Sequence, residues 1–326
     1  MGKVYKSIGE LVGNTPLLEL VNYEKNNNLK GKVYGKLEYF NPSGSVKDRA
    51  ALNMIETAEN EGKLKKGDTI IENTSGNTGI ALAAFAASKG YKLEVFLENG
   101  ASKEREQVLE AYGAKLNHYT DLPGMKAMLE ANDVHLDKFL EEIYEYADEL
   151  GDAYFINQVI NEANPQAHIK GTGPEIWEAL EGKVDAIVAM SGTGGTLAGL
   201  GTYLREKNPD VHIVGVQAAP ESRIGLLNPD ANVIDGVAPF ANIPDAAKPV
   251  FLKDDSYDEV IEVVTEDAWV VARELAQKEG IFIGTSAAAA AWAAIEVAKR
   301  DEFKDKNIVA IFPDDGYKYL STGMYK

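Results

Sequence analysis

The sequence predicts an α/β protein of two domains, each an open, mostly parallel sheet covered by helices. Three observations carry that expectation. Short apolar runs alternate with helical patterns through most of the chain. The runs are apolar along nearly their whole length, as strands are when both faces of a parallel sheet are covered. The chain has 326 residues, more than one core ordinarily serves. Residues 45–155 are expected to form a smaller domain, and residues 1–44 with 156–326 a larger one.

Taken in order, residues 8–20 read as a short helix, a turn and a strand, and residues 33–38 as a second strand. Asn41-Pro42-Ser43-Gly44 is a turn, and Ser45 stands where a cap belongs, so residues 46–60 read as a helix. Regular alternation follows: strand 68–73, helix 77–89, strand 92–97, helix 103–112 and strand 115–118. Residues 124–150 are helical with a break near Asn132-Asp133, and are expected to carry the chain from one sheet to the other. A short strand at 154–157 precedes a helix at 173–181, where Pro174 sits in the first turn and its missing N–H is not needed. Strand 185–190, helix 196–207 and strand 212–217 lead into an irregular stretch at 220–249, rich in Pro, Asp and Asn. Strand 258–264, helices 266–279 and 286–300, and strand 308–312 complete the pattern.

Composition narrows the function. Lys+Arg is 33 against 51 for Asp+Glu, a net charge of −18 that repels phosphate backbones and anionic lipid. No nucleic-acid or membrane partner is expected. The absence of cysteine excludes disulfides, thiolate metal sites and a cysteine nucleophile. The four histidines show neither an HExxH motif nor i, i+4 pairing, so no metal is expected. The apolar stretches at 80–87 and 287–294 are too short to span a bilayer. No signal peptide is read at the N-terminus, which makes the cytoplasm the expected location.

Chemistry gathers at Lys47 and three small-residue turns. Lys47 falls in the first turn of its helix, where the positive end of the dipole disfavours an ammonium. A lysine so placed tends toward the free amine, a nucleophile that forms a Schiff base with an aldehyde. A surface lysine beside a turn is the plainer reading of that stretch taken alone. Asn73-Thr74-Ser75-Gly76-Asn77-Thr78-Gly79 lies between a strand and a helix and offers backbone N–H groups, hydroxyls and amides to a small anion. Simple capping needs only one or two such residues. Ser191-Gly192-Thr193-Gly194-Gly195-Thr196 follows a strand and suits a phosphate monoester. It fails the dinucleotide spacing because Leu197 replaces the third glycine, which argues against a nicotinamide-binding oxidoreductase. Gly284-Thr285-Ser286 opens an alanine-rich helix, and Ser286 reads adequately as an N-cap.

A lysine, an anion cradle and a phosphate cup together suggest pyridoxal phosphate. The chain resembles the cysteine synthase (O-acetylserine sulfhydrylase) and cystathionine β-synthase family of fold-type-II pyridoxal-phosphate enzymes. The matching stretches are Val12-Gly13-Asn14-Thr15-Pro16-Leu17, Asn41 to Arg49, and Thr74-Ser75-Gly76-Asn77-Thr78-Gly79. Further matches are Gln158, Ala163-Asn164-Pro165, Gly173-Pro174-Glu175-Ile176-Trp177, Gly192-Thr193-Gly194-Gly195-Thr196 and Phe312-Pro313-Asp314. The resemblance runs almost end to end. It implies a fold like that of the tryptophan synthase β-subunit, with the cofactor in the cleft between the domains and a homodimer as the assembly. It implies that Lys47 carries the cofactor as a Schiff base and returns as the base for the substrate's α-proton. Gly192 to Thr196 would bind the phosphate, Asn77 the ring hydroxyl, and Ser286 would face the pyridine nitrogen. Thr74, Ser75, Gly76, Thr78 and Gln158 would hold the carboxylate of a small amino-acid substrate, with Gly236 nearby. A serine hydroxyl cannot keep the ring nitrogen protonated as a carboxylate would. The implied reaction is therefore β-elimination or β-replacement on a serine- or cysteine-type amino acid, through an α-aminoacrylate.

Departures from the family keep two reactions open. The segment from Gly124 to Gln158 is long and acidic, and Ala288 replaces a usual glycine. Ile234-Asp235-Gly236-Val237-Ala238-Pro239-Phe240 loses two glycines of the cysteine synthase loop and gains a carboxylate. Asp235 could activate water, turning cysteine into serine and sulfide, while its charge would repel hydrosulfide. It could equally cap the turn into Gly236 and face solvent. Cysteine synthesis from O-acetylserine and this cysteine hydroxyl-lyase reaction stand near even on the sequence alone. A binding protein that keeps only the cofactor cup would not need both Lys47 and the complete turn at 74–79.

Overall fold

The computed structural model describes residues 3–74, 76–97, 103–223 and 231–326. In chain order its strands are β1 (Leu17–Glu19), β2 (Lys32–Leu37), β3 (Thr69–Asn73), β4 (Lys92–Leu97), β5 (Lys115–His118), β6 (Ala153–Phe155), β7 (Ala186–Met190), β8 (His212–Ala218), β9 (Glu259–Val263) and β10 (Asn307–Phe312). The helices are α1 (Val21–Asn27), α2 (Lys47–Asn60), α3 (Asn77–Lys89), α4 (Lys103–Ala111), α5 (Pro123–Ala131), α6 (Leu136–Leu150), α7 (Ala163–Ala167), α8 (Gly173–Ala179), α9 (Gly195–Lys207), α10 (Thr265–Lys278) and α11 (Thr285–Ala298). The chain divides into two units, one of Met1–Val12 and Lys47–Ala163, the other of Gly13–Val46 and Asn164–Lys326.

The first unit holds a four-stranded parallel sheet in the order β5-β4-β3-β6. Strand alternation sends Ile70, Leu93, Val95 and Leu97 to one face, against Ala50, Met54 and Ile55 of α2 and Leu82 and Phe85 of α3. Ile71, Phe96 and Phe155 go to the other, against Met125 of α5 and Phe139, Ile143 and Ala147 of α6. Those last three stand four residues apart, one stripe of a helix. The break expected near Asn132 is real: Asn132 ends α5 in the left-handed conformation (φ 52°). The helical pair does not carry the chain between sheets, however. β6 returns to pair in parallel with β3, and a parallel partner needs a crossover of this kind. The long acidic segment is thus the connection that completes the first sheet.

The second unit holds a six-stranded sheet in the order β1-β2-β10-β7-β8-β9, parallel except for β1. Ile187, Ala189, Ile213, Val309 and Ile311 face the side covered by α8 and α9, where Ile176, Leu197, Leu200 and Leu204 sit. Ala186, Val188, Val214, Ile308 and Ala310 face the side of α10 and α11. Ala287 to Ala291 are fully buried, so the alanines of α11 let its backbone lie close to the strands. β2, β10 and β7 are parallel neighbours, so their following loops emerge side by side at the carboxyl edge, where open α/β sheets bind ligands.

Candidate active site

In the first unit, α2 opens at Lys47 itself, one residue later than the pattern suggested. Ser45 pairs with Asp314 in an isolated bridge, and Val46 N–H donates to the Pro313 carbonyl at 2.8 Å. The turn before Lys47 is held in the second unit by buried charge. Glu38, fully buried, accepts from the Thr15 hydroxyl at 2.7 Å and from Asn41 Nδ2 at 3.0 Å. Asn41 Oδ1 accepts from Gly13 N–H at 2.8 Å, and Lys36 Nζ donates to Thr15 O and Glu175 Oε2, both at 2.6 Å. Lys47 keeps some exposed surface, yet desolvation lowers the pKa of its amine, opposed by the Glu72 carboxyl. Burial is the largest cause of that shift, one that the sequence reading, resting on the helix dipole, had not named.

The residues assigned to the substrate carboxylate come together within this unit. Thr78, in the first turn of α3, donates from its hydroxyl to Gln158 Oε1 at 2.6 Å, across 80 residues of sequence. The Thr74 hydroxyl accepts from Gly76 N–H at 3.2 Å, bracing the turn that leads to Asn77, the first residue of α3. Gly76 caps α3 and has open space on its Cβ side. Ser75 lies outside the described residues.

In the second unit, the turn after β7 runs into α9. Gly194 is the N-cap, with a left-handed backbone (φ 84°) that favours glycine. A Cβ at Gly192 would meet the Gly236 carbonyl oxygen at 2.6 Å, and one at Gly195 would run into the Asn164 side chain. Asn164 Nδ2 donates to the Thr193 hydroxyl at 3.0 Å. The Thr196 hydroxyl meets His168 Nε2 at 3.2 Å, while His168 Nδ1 meets the Thr172 hydroxyl at 2.9 Å. The loop that carries Asp235 and Gly236 lies against this turn, since Ala238 N–H donates to Ser191 O at 2.9 Å. Asp235 is half-buried and Gly236 exposed. Ser286 is buried in the first turn of α11, but Gly284 is the N-cap, so the capping reading of Ser286 is corrected. Gly284 N–H donates to Asp314 O at 3.0 Å, tying that helix start to the loop after β10.

A family model for pyridoxal-phosphate dependent enzymes matches residues 8–314. The chain belongs to this family. A cysteine synthase of Staphylococcus aureus is 41% identical over 325 residues, 99% of this chain and 98% of its own. A crystal structure of cysteine synthase from Entamoeba histolytica is 35% identical with a TM-score of 0.83, over 99% of this chain and 91% of that one. The crystal structure of a hydrogen sulfide-producing enzyme from Fusobacterium nucleatum is 34% identical with a TM-score of 0.82, over 98% and 99%. The protein is thus a fold-type-II, pyridoxal-phosphate dependent enzyme that acts on an amino acid, and its likeness to cysteine synthases supports β-replacement.

The residues in place fit that cofactor. Buried side-chain oxygens without a protein partner lie beside each turn assigned to it: Asn73 Oδ1 before the Thr74 turn, Asn157 Oδ1 beside Gln158, Ser191 Oγ before Gly192, and Thr285 Oγ1 beside Ser286. Buried polar groups are ordinarily paired, so these await a polar ligand or water. The turn at Gly192 to Thr196 contains no cation, and a helix start with glycines too crowded for a Cβ suits a phosphate held by backbone N–H groups. Among the described residues no group of His, Cys, Asp or Glu could hold a metal, and no helix is long and apolar enough to cross a membrane.

Sequence reasoning gave no role to Asn164, His168 or Glu72. Asn164 and His168 meet the Thr193 and Thr196 hydroxyls of the turn after β7, from α7 and the π-helical turn His168–Thr172 after it. Glu72 is fully buried on β3. Its signal was an acid directly after two isoleucines in a strand, Thr-Ile-Ile-Glu-Asn.

Proposed function

We propose that this enzyme makes cysteine: O-acetylserine and hydrosulfide give cysteine and acetate. Lys47, an amine kept available by burial at the first residue of α2, is the observation that carries the reading. Pyridoxal phosphate, when bound, supplies an electron sink for the substrate's α-carbon. Lys47 holds the cofactor through its side-chain nitrogen, then takes the α-proton as a general base. Gly192, Thr193, Gly194, Gly195 and Thr196 hold the phosphate, Asn77 the ring hydroxyl, and Ser286 the ring nitrogen. Thr74, Ser75, Gly76, Thr78 and Gln158 orient the substrate carboxylate, which sets Cα–H toward Lys47. The Cβ–O bond breaks with its electron pair leaving on acetate, a Cβ–S bond forms from hydrosulfide, and the α-carbon regains a proton. The same reading has the enzyme work as a homodimer in the cytoplasm.

The opposite use of the site, cysteine and water to serine and sulfide with Asp235 as base, is not favoured. Full-length likeness to cysteine synthases supports synthesis. The test runs both directions at once: enzyme with O-acetylserine and sulfide, and enzyme with cysteine alone, assaying cysteine, sulfide and serine. Cysteine formation in the first should far outpace sulfide release in the second. Faster turnover of cysteine alone, abolished in Asp235→Asn, would reverse the assignment.

A further inference from the structure

Glu72 is an acid with no place in the roles assigned so far. It sits fourth in β3, fully buried, and both of its carboxyl oxygens are used. Oε1 accepts from Asn73 N–H at 2.9 Å, where the turn to Thr74 begins, and Oε2 accepts from Gln158 N–H at 3.0 Å. One carboxyl thus joins the two segments that bear the substrate-carboxylate residues, which meet again through Thr78 and Gln158. We propose that Glu72 is a positioning residue that clamps these two segments to each other. The proposal rests on the function proposed for this site.

The electrostatics follow from burial. Glu72 is pushed up to about 8, chiefly by desolvation, with the two backbone N–H bonds and then Lys47 pulling it back. Lys47 is lowered by desolvation, and Glu72 opposes the shift.

The test uses the holoenzyme of Glu72→Gln and Glu72→Asp. KM for the amino-acid substrate should rise about tenfold in both, with a smaller change in kcat, because an amide or a shorter acid cannot serve both N–H groups. An unchanged KM in Glu72→Gln would overturn the proposal. If Glu72→Gln does not fold, Glu72→Asp decides: raised KM with a smaller change in kcat supports it, and wild-type KM overturns it. Borohydride reduction of the wild type is read separately. A cofactor adduct on a lysine other than Lys47 overturns the reading of Lys47, while KM still decides the clamp.

Discussion

Gly194 shows how a single residue sets the turn proposed to hold the phosphate. Its φ of 84° is costly for any side chain, and a Cβ there would meet Leu252 Cγ at 2.7 Å. Strain of ~1–2 kcal/mol for the backbone alone, before the collision, is enough to move the turn. Gly194→Val should therefore weaken cofactor binding at least tenfold, measured by titrating cofactor-stripped protein with pyridoxal phosphate. Turnover of the fully loaded variant should fall by less. A variant that binds cofactor normally but turns over poorly would mean that Gly194 serves the reaction rather than the phosphate. Lys47 obeys the same logic of environment over type: desolvation lowers the pKa of its amine.

At the scale of elements, α6 is the clearest case of pattern becoming packing. Ile143 is fully buried among Ile71, Phe96 and Phe155, beneath the first sheet. Ile143→Ala should cost roughly 2–5 kcal/mol in urea unfolding, as large-to-small changes in cores do. A loss under 1 kcal/mol would mean that the helix is a surface appendage after all. Several elements were legible from local sequence: α3, β4 and β5 begin and end where the sequence placed them. α1 was not, since Val-Asn-Tyr-Glu-Lys-Asn-Asn buries only Tyr23 and shows no apolar stripe. The destination of α5 and α6 was illegible for another reason. Their stripe says that they pack on a sheet, and only the pairing of β6 with β3 says which. Within the site, the turns at Thr74 and Gly192 could be read locally because glycine and hydroxyl residues crowd there. Glu72 and Gln158 meet across 86 residues, and Asn164 reaches Thr193 across 29, so neither partnership could be read from spacing.

At the scale of the whole molecule, the two units supply different chemistry. The first holds Lys47, Thr74 and Gln158; the second holds the turn proposed for the phosphate, Ser286 and the loop of Asp235. The second unit spends buried charge on the approach to Lys47, through Lys36, Glu38 and Glu175, where lone buried ions would be costly and paired ones are tolerated. The chain's net charge is −18 and the turn proposed for the phosphate has no cation of its own, so on that proposal affinity for the phosphate comes from oriented N–H groups and hydroxyls. The account stands on one lysine, and peptide mapping after borohydride reduction of the purified yellow enzyme tests it most directly. The account predicts a pyridoxyl adduct on Lys47 alone, and none on the Lys47→Ala chain. An adduct on any other lysine of the wild type, or no adduct at all, would contradict it.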